Sequence, residues 1–382
     1  MQLSVIILNY NVRHFLELCV LSVQDALRNL DAEIIVVDNN SSDDSCAMMK
    51  QRFPKIKLIE NKENLGFPKG NNRGVAQAKG EYICILNPDT VVAEDTFEKV
   101  VAFAKRQTDL GIIGCKLIDG TGNFLPESKR GIPTPWVAFT KIFGLYKLFP
   151  KSKLFNQYYA QNISENETGK VEILVGAFMV MQRQLYNEIG GFDENCFMYS
   201  DDIDLSYRVL QKGKSNYYFH DTTVIHYKGE STVKDETYMK RFQEAMNFFY
   251  NKHFKISFFF TVFMKIGILL FSLVKKMQGH SKPSIIPESY ILISENESLK
   301  KKLEKHLKKG VMLHDIRHLS EENFKSEIIF DQNYLDFKTI IKAFETYKKN
   351  HFTYKILLKS TDYLIGSNSS FERGEVIKIQ EL

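Results

Sequence analysis

The stretch Tyr82-Ile83-Cys84-Ile85-Leu86-Asn87-Pro88-Asp89-Thr90 decides the fold. Its first five residues are apolar without alternation. That pattern predicts a strand covered on both faces, the habit of parallel sheets in α/β proteins. Asn-Pro-Asp-Thr then turns the chain, because Pro presets a turn dihedral and Asp accepts from nearby backbone amides. A carboxylate just past the carboxyl end of such a strand stands where open α/β sheets bind ligands.

The same grammar extends in both directions. Leu3–Leu8 and Ile34–Val37 read as buried strands, and Ile56–Ile59 as a third, short one. A helix from about Arg13 puts Phe15, Leu18, Cys19, Ser22, Val23, Ala26 and Leu30 on one side, and Asn71–Ala78 is also predicted helical. Downstream, Glu94–Arg106 reads as a helix, Gly111–Ile118 as a strand, Pro126–Pro150 as irregular, Val171–Met181 as apolar again and Asn216–His226 as β structure. Strands alternating with helices imply a mostly parallel sheet with right-handed crossovers.

The character changes after Ser231. Tyr238–Lys255 is polar-aromatic and helical, and Ile256–Val274 is almost wholly apolar. Pro283 and Pro287 then mark a boundary. Beyond them a smaller α/β pattern predicts strands at Tyr290–Ile293, Val311–Leu313, Ile328–Phe330 and Lys355–Leu358, with helices at Glu295–Lys309 and Phe337–Asn350. The expected division is residues 1–232, a helical membrane-associated segment at 233–282, and a small domain at 283–382.

At 382 residues, 44% hydrophobic and 25% charged, the chain has the composition of a globular protein with more than one domain. A net charge of +5 spread along the sequence excludes a dedicated nucleic-acid binder. The five cysteines are odd in number, far apart and without CxxC spacing. Three of them fall in apolar surroundings and read as core thiols, a reducing compartment is expected, and a zinc site is not. Met1-Gln2-Leu3-Ser4 enters a strand at once and has no basic n-region, so a secretory signal is not expected.

Four polar constellations follow predicted strands or open a helix: Leu8-Asn9-Tyr10-Asn11, Val37-Asp38-Asn39-Asn40-Ser41, Asn64-Leu65-Gly66-Phe67-Pro68-Lys69-Gly70-Asn71-Asn72 and Asn87-Pro88-Asp89-Thr90. All would converge on one sheet edge. An aromatic ring and a carboxylate there suit a nucleobase. A Gly-rich turn with a Lys at a helix N-terminus suits a phosphate. Asp89 suits a hard divalent cation bridging a diphosphate.

With these motifs in this order, Gln2–Thr232 resembles the family 2 glycosyltransferases and is similar to their rhamnosyltransferase-like members. The resemblance implies a GT-A type, nucleotide-diphospho-sugar transferase fold. It implies Asp89 as a metal ligand for Mg²⁺ or Mn²⁺, with His226 as a further one. Asn87 stands where the family motif usually has an acid, so it is expected in the nucleotide-sugar site and not as an anionic ligand. By the same likeness Asp38 contacts base or ribose with Tyr10 beside it, and Asn40, Lys69 and Asn72 line that side. Asp201-Asp202, in Phe197-Met198-Tyr199-Ser200-Asp201-Asp202-Ile203-Asp204, matches the acidic pair that supplies a general base, with Asp202 the expected base. The acids are also what a helix start selects for its dipole.

The implied activity is inverting transfer of a sugar from a nucleotide-diphospho-sugar to a saccharide or lipid-linked acceptor in cell-surface polysaccharide synthesis. A sugar nucleotidyltransferase or a non-catalytic, membrane-bound scaffold of the same fold are the rivals. The first would need a Gly-rich phosphate loop with a basic residue directly after strand one, where Asn9-Tyr10-Asn11-Val12 stands.

Ile256–Val274 has the length of a bilayer span, but Ser257, Thr261, Lys265 and Ser272 form a polar stripe. The expectation is an in-plane helix on the inner face of the cell membrane, with the protein otherwise cytoplasmic. Trp136–Phe155, with Lys141, Lys147, Lys151 and Lys153, is a second candidate membrane contact or a helix packed in the core. The last domain is expected to dock a partner or subunit.

Overall fold

The computed structural model describes residues 1–142, 144–149, 152, 154–155, 157–228, 236–254, 287–321, 325–348, 352–368 and 374–379. In chain order the first region runs β1 (Leu3–Asn9), α1 (Arg13–Ala26), β2 (Ala32–Asp38), α2 (Ser45–Arg52), β3 (Lys57–Glu60), α3 (Gly66–Val75), β4 (Tyr82–Leu86), β5 (Thr90–Val91), α4 (Thr96–Ala104) and β6 (Leu110–Ile118). It continues through α5 (Pro135–Ile142), α6 (Leu145–Leu148), β7 (Gly169–Val171), β8 (Phe178–Gln182), α7 (Arg183–Glu188), α8 (Asp201–Gln211), β9 (Ser215–His226) and α9 (Glu236–His253).

These strands form one sheet in the order β3-β2-β1-β4-β8-β6-β9-β5, with β7 on β9. β3, β2, β1 and β4 are mutually parallel, whereas β8 runs antiparallel to both β4 and β6. The apolar runs do not alternate because both faces are covered. In β1, Leu3, Val5 and Ile7 join one core layer, and Ile6 and Leu8 the other. In β4, Tyr82, Cys84 and Leu86 face the first layer, and Ile83 and Ile85 the second. α3 lies directly on this sheet. A Cβ at Gly74 would stand 2.5 Å from Ile6 Cγ2, so that helix packs at a distance only Gly allows.

Several elements depart from the sequence expectation. α3 begins at Gly66 and not at Asn71, so the Gly-rich turn is the helix's own first turn. The apolar run Val171–Met181 is split between β7 and β8, with Ile173 and Leu174 buried between them. Pro126–Pro150 holds two short helices, α5 and α6. All five cysteines are free, and Cys19, Cys84 and Cys115 lie in the core, where burial raises their thiol pKa values and keeps them inert. Ile256–Val274 lies outside the described residues. Among the described residues no helix is long and apolar enough to cross a membrane.

A second sheet follows: β10 (Ser289–Ile293), β11 (Val311–Leu313), β12 (Ser326–Asp331), β13 (Thr353–Leu357), β14 (Tyr363–Gly366) and β15 (Glu375–Lys378), ordered β11-β10-β12-β13-β14-β15. It is not left waiting for a partner, because it packs on the first region of its own chain. One apolar cluster runs from Phe15, Leu18, Ile225 and Tyr227 into Ile328, Phe337, Phe344 and Tyr354. Glu94 accepts the backbone N–H groups of Phe337 and Lys338 at 2.8 Å each, capping the helix Phe337–Tyr347 from the other sheet. Glu17, wholly buried on α1, receives the Tyr363 hydroxyl at 2.5 Å and pairs with Arg13 and Arg52. Removing that carboxylate would leave two guanidinium groups facing one another in a low-dielectric seam. Glu17→Ala is therefore expected to cost about 3–5 kcal/mol, read as a lower urea midpoint, with Glu17→Gln costing less.

Candidate active site

The sheet order makes β1 the switch point: β2 and β3 lie on one side, β4 on the other. Ligands bind at the carboxyl ends of strands flanking such a point. Asn9-Tyr10-Asn11 leaves β1 there, Asp38 closes β2, and Asn87-Pro88-Asp89 leaves β4.

The Pro88 turn returns the chain into β5, which pairs antiparallel with the end of β9, Thr90 opposite His226. The Tyr227 N–H also donates to the Asp89 carbonyl at 3.0 Å. This pairing, rather than any sequence proximity, puts His226 Nε2 3.4 Å from Asp89 Oδ1 and 3.4 Å from Asn87 Nδ2. Asp89 and His226 are 3% and 7% exposed, and among the described residues neither Asp89 Oδ1 nor His226 Nδ1 has a hydrogen-bond partner. An orphaned buried carboxylate oxygen beside an imidazole is an unsatisfied arrangement without a cation and a satisfied one with it. The donors fit a divalent ion that takes its remaining ligands from phosphate oxygens and water. Among the described residues no cluster of three or more His, Cys, Asp or Glu side chains could hold a metal by itself. Below the pair, Lys228 is bonded to Glu127, and although burial opposes its charge the Lys228 ammonium holds the Glu127 carboxyl below its usual range.

The second half of the site is tied to the first through the sheet. Asn87 N–H donates to the Ala177 carbonyl at 3.0 Å. The next residue back, Gly176, donates its N–H to Asp202 Oδ2 at 3.1 Å. Asp201 and Asp202 open α8, 7% and 8% exposed. Asp202 Oδ2 also receives Arg130 Nη2 at 2.5 Å. Burial works against the Arg130 charge, but Asp202 beside it more than offsets this and raises the guanidinium pKa. Among the described residues no cation bonds Asp201. Burial and the neighbouring Asp202 charge push its carboxyl well above the usual range. Asp204 is spent on structure: Arg208, Lys252 and His253 all bond it within 2.8 Å.

The remaining expected residues divide. Tyr10 is exposed at the mouth, Asn40 is exposed in the left-handed region (φ 64°), and Lys69 is exposed on the first turn of α3. Asp38 is 2% exposed and accepts from Asn9 Nδ2, Ser41 Oγ and Ser41 N, at 2.6–2.8 Å. Asn72 has a different set of partners from the one expected. Its amide donates to Phe192 O and Glu194 Oε1, and accepts from Tyr186 Oη and Phe192 N. It pins the Gly190-Gly191-Phe192-Asp193 turn and borders a cavity of about 310 Å³ with Arg208 and Lys252. Arg130 escaped the sequence reading, because nothing local marks it as the partner of an acid 72 residues away.

A family model described as glycosyl transferase family 2 matches residues 4–190. Over 213 residues the chain is 26% identical to an N-acetylglucosaminyl-diphospho-decaprenol L-rhamnosyltransferase of Mycobacterium tuberculosis (strain ATCC 25618 / H37Rv), spanning 53% of this chain and 68% of that protein. It is 25% identical over 216 residues to the low-salt glycan biosynthesis hexosyltransferase Agl10 of Haloferax volcanii, spanning 55% of this chain and 62% of that one. A solved mannosyltransferase of Pyrobaculum calidifontis, in complex with GDP-Man and Mn²⁺, superposes with a TM-score of 0.46 at 16% identity, over 74% of this chain and 66% of that one.

Proposed function

We propose, for a chain that belongs to the family 2 glycosyltransferases through its residues 4–190, inverting transfer of a sugar from a nucleotide-diphospho-sugar to a lipid-linked or cell-surface saccharide at the inner face of the membrane. The observation that carries this reading is the buried Asp89–His226 pair, with its orphaned oxygen, one backbone step across the sheet from the Gly176 N–H that holds Asp202.

In this reading the nucleotide lies over the switch point, with the exposed Tyr10 ring for stacking and the Asp38 carboxylate for a base or ribose donor. Asn40 and Lys69 border the same mouth. Asp89 and His226 would hold Mg²⁺ or Mn²⁺, and Asn87 borders the sugar-nucleotide beside them. A cation held there would offset charge on the leaving diphosphate. Asp202 takes the proton from the acceptor hydroxyl as that oxygen attacks the anomeric carbon on the face opposite the diphosphate, so configuration inverts. Arg130 and the Gly176 N–H fix the Asp202 carboxylate in place. Asp201, held toward its neutral form, avoids a second negative charge beside the attacking oxygen. The last domain buttresses the site, since Tyr227, next to His226, belongs to the core it shares with the first region.

Two measurements bear on this directly. A panel of nucleotide-diphospho-sugars screened by thermal shift, with and without Mn²⁺ or Mg²⁺, is expected to yield a donor that stabilises the chain only with the cation. Failure of every donor would overturn the reading. With that donor, Arg130→Met is expected to lower the rate of transfer at saturating donor, because Asp202 Oδ2 loses the guanidinium that holds it at 2.5 Å. An unchanged rate would show that the guanidinium does not position the base.

A further inference from the structure

We infer that the face carrying Trp136, Leu148, Phe149 and Leu154 is the surface by which this chain sits on an anionic lipid bilayer. The inference rests on the proposed reading in one respect, that the acceptor is presented at a membrane, and it names where the protein meets it.

Nine large hydrophobic side chains are exposed among the described residues, and four of them fall within Trp136–Leu154. Their exposures are 42% for Trp136, 69% for Leu148, 51% for Phe149 and 54% for Leu154. They form one patch rather than scattered residues. The Trp136 indole N–H donates to the Leu154 carbonyl at 3.0 Å. The Trp136 and Phe149 rings both lie against Phe155, with centroids 5.9 and 5.3 Å away. A contiguous exposed apolar patch marks an interaction surface.

Charge selects the occupant. From Ser128 to Ser164 the sequence contains Lys129, Arg130, Lys141, Lys147, Lys151 and Lys153, and no Asp or Glu. Three of these cations are engaged inward: Lys129 on the Tyr159 and Ala160 carbonyls, Arg130 on Asp202, and Lys141 over the Tyr158 ring at 3.6 Å. In the sequence, Lys147, Lys151 and Lys153 interleave with Leu148, Phe149 and Leu154. Aromatic and Leu side chains mixed with lysines, and no acid, suit the boundary between acyl chains and anionic headgroups. The same stretch of chain also supplies Arg130, which bonds Asp202 in the site.

Trp136 is the single tryptophan of the chain, and its emission therefore reports on this face independently of any other membrane contact. The full chain is mixed with vesicles of phosphatidylcholine alone or with phosphatidylglycerol, with and without brominated acyl chains. The expected result is a blue shift and quenching by brominated lipid on vesicles containing phosphatidylglycerol, both weakened by high salt. Leu148→Glu and Phe149→Glu, at exposed positions where folding is indifferent, are expected to abolish the quenching. Co-sedimentation without quenching of Trp136 would overturn the inference, as would absence of binding. Protection of Trp136 from acrylamide before vesicles are added would also overturn it, by showing a cover of protein. Cation-dependent donor hydrolysis is measured on the same preparation without vesicles. Hydrolysis without lipid quenching sinks the surface and spares the proposed activity, and the reverse outcome sinks the activity and spares the surface.

Discussion

Asp202→Asn is expected to lower transfer by about 10²–10⁴-fold, the range over which a positioned general base acts, while the cation-dependent thermal shift by the donor persists. The amide nearly preserves the shape of the carboxylate, so the Gly176 contact and the opening of α8 need not change. What changes is proton affinity and charge. The variant also leaves the buried Arg130 guanidinium without its anion, and a stripped buried pair is costly. A fall in thermal stability must therefore be separated from a fall in rate. The double variant Arg130→Met with Asp202→Asn does this, because it removes both charges. It is expected to regain stability relative to Asp202→Asn and to remain as inactive. Asp201→Asn is the contrasting case. The side chain is already held toward its neutral form by burial and by Asp202, so replacing it removes little charge, and activity is expected to stay within about tenfold of the parent. If Asp201→Asn were the inactive variant and Asp202→Asn the active one, the roles of the two acids would be exchanged.

That contrast could not be drawn from the sequence, where Asp201 and Asp202 are merely adjacent acids at a helix start. The reasons are physical. β1, β2 and β4 were legible because two-faced burial leaves uninterrupted apolar runs, and the Asn87-Pro88-Asp89 turn was legible because its residues carry their own dihedral preferences. β5 was not, since two residues carry no period. Its pairing with β9 is nonetheless what sets His226 beside Asp89. Arg130 and Asp202 meet across 72 residues, and Asn72 meets Phe192 across 120. In both cases the local sequence holds half of an interaction. The docking of the second sheet is the extreme instance: Tyr363 finds Glu17 across 346 residues. Glu17 falls on the side of α1 opposite the apolar stripe, where a solvated carboxylate is the ordinary reading, so nothing local marks it as a partner for Tyr363.

Asp89→Asn is expected to separate stability from function in the opposite sense to Asp202→Asn. Asp89 Oδ1 is buried with no hydrogen-bond partner among the described residues, and His226 Nε2 stands 3.4 Å from it, longer than an ordinary bond. A desolvated carboxylate so poorly served costs folding free energy, which is tolerated where the strain serves a ligand. Asparagine removes the charge and brings an N–H that can donate to the imidazole. The metal-free variant is therefore expected to unfold at the same temperature as the parent or higher. The cation-dependent gain should vanish. At about a hundredfold excess over Kd, a donor–cation pair stabilises the native state by about 2.7 kcal/mol, and Asp89→Asn is expected to lose nearly all of it. His226→Ala should lose part, because it leaves the carboxylate in place and removes a neutral donor. A destabilised metal-free Asp89→Asn protein would mean that the carboxylate is a structural element of the β4–β5 turn. A retained cation-dependent shift would mean that the ion is held elsewhere. The two readouts move independently, so the pair of results assigns the turn to structure or to the ligand without reference to any rate.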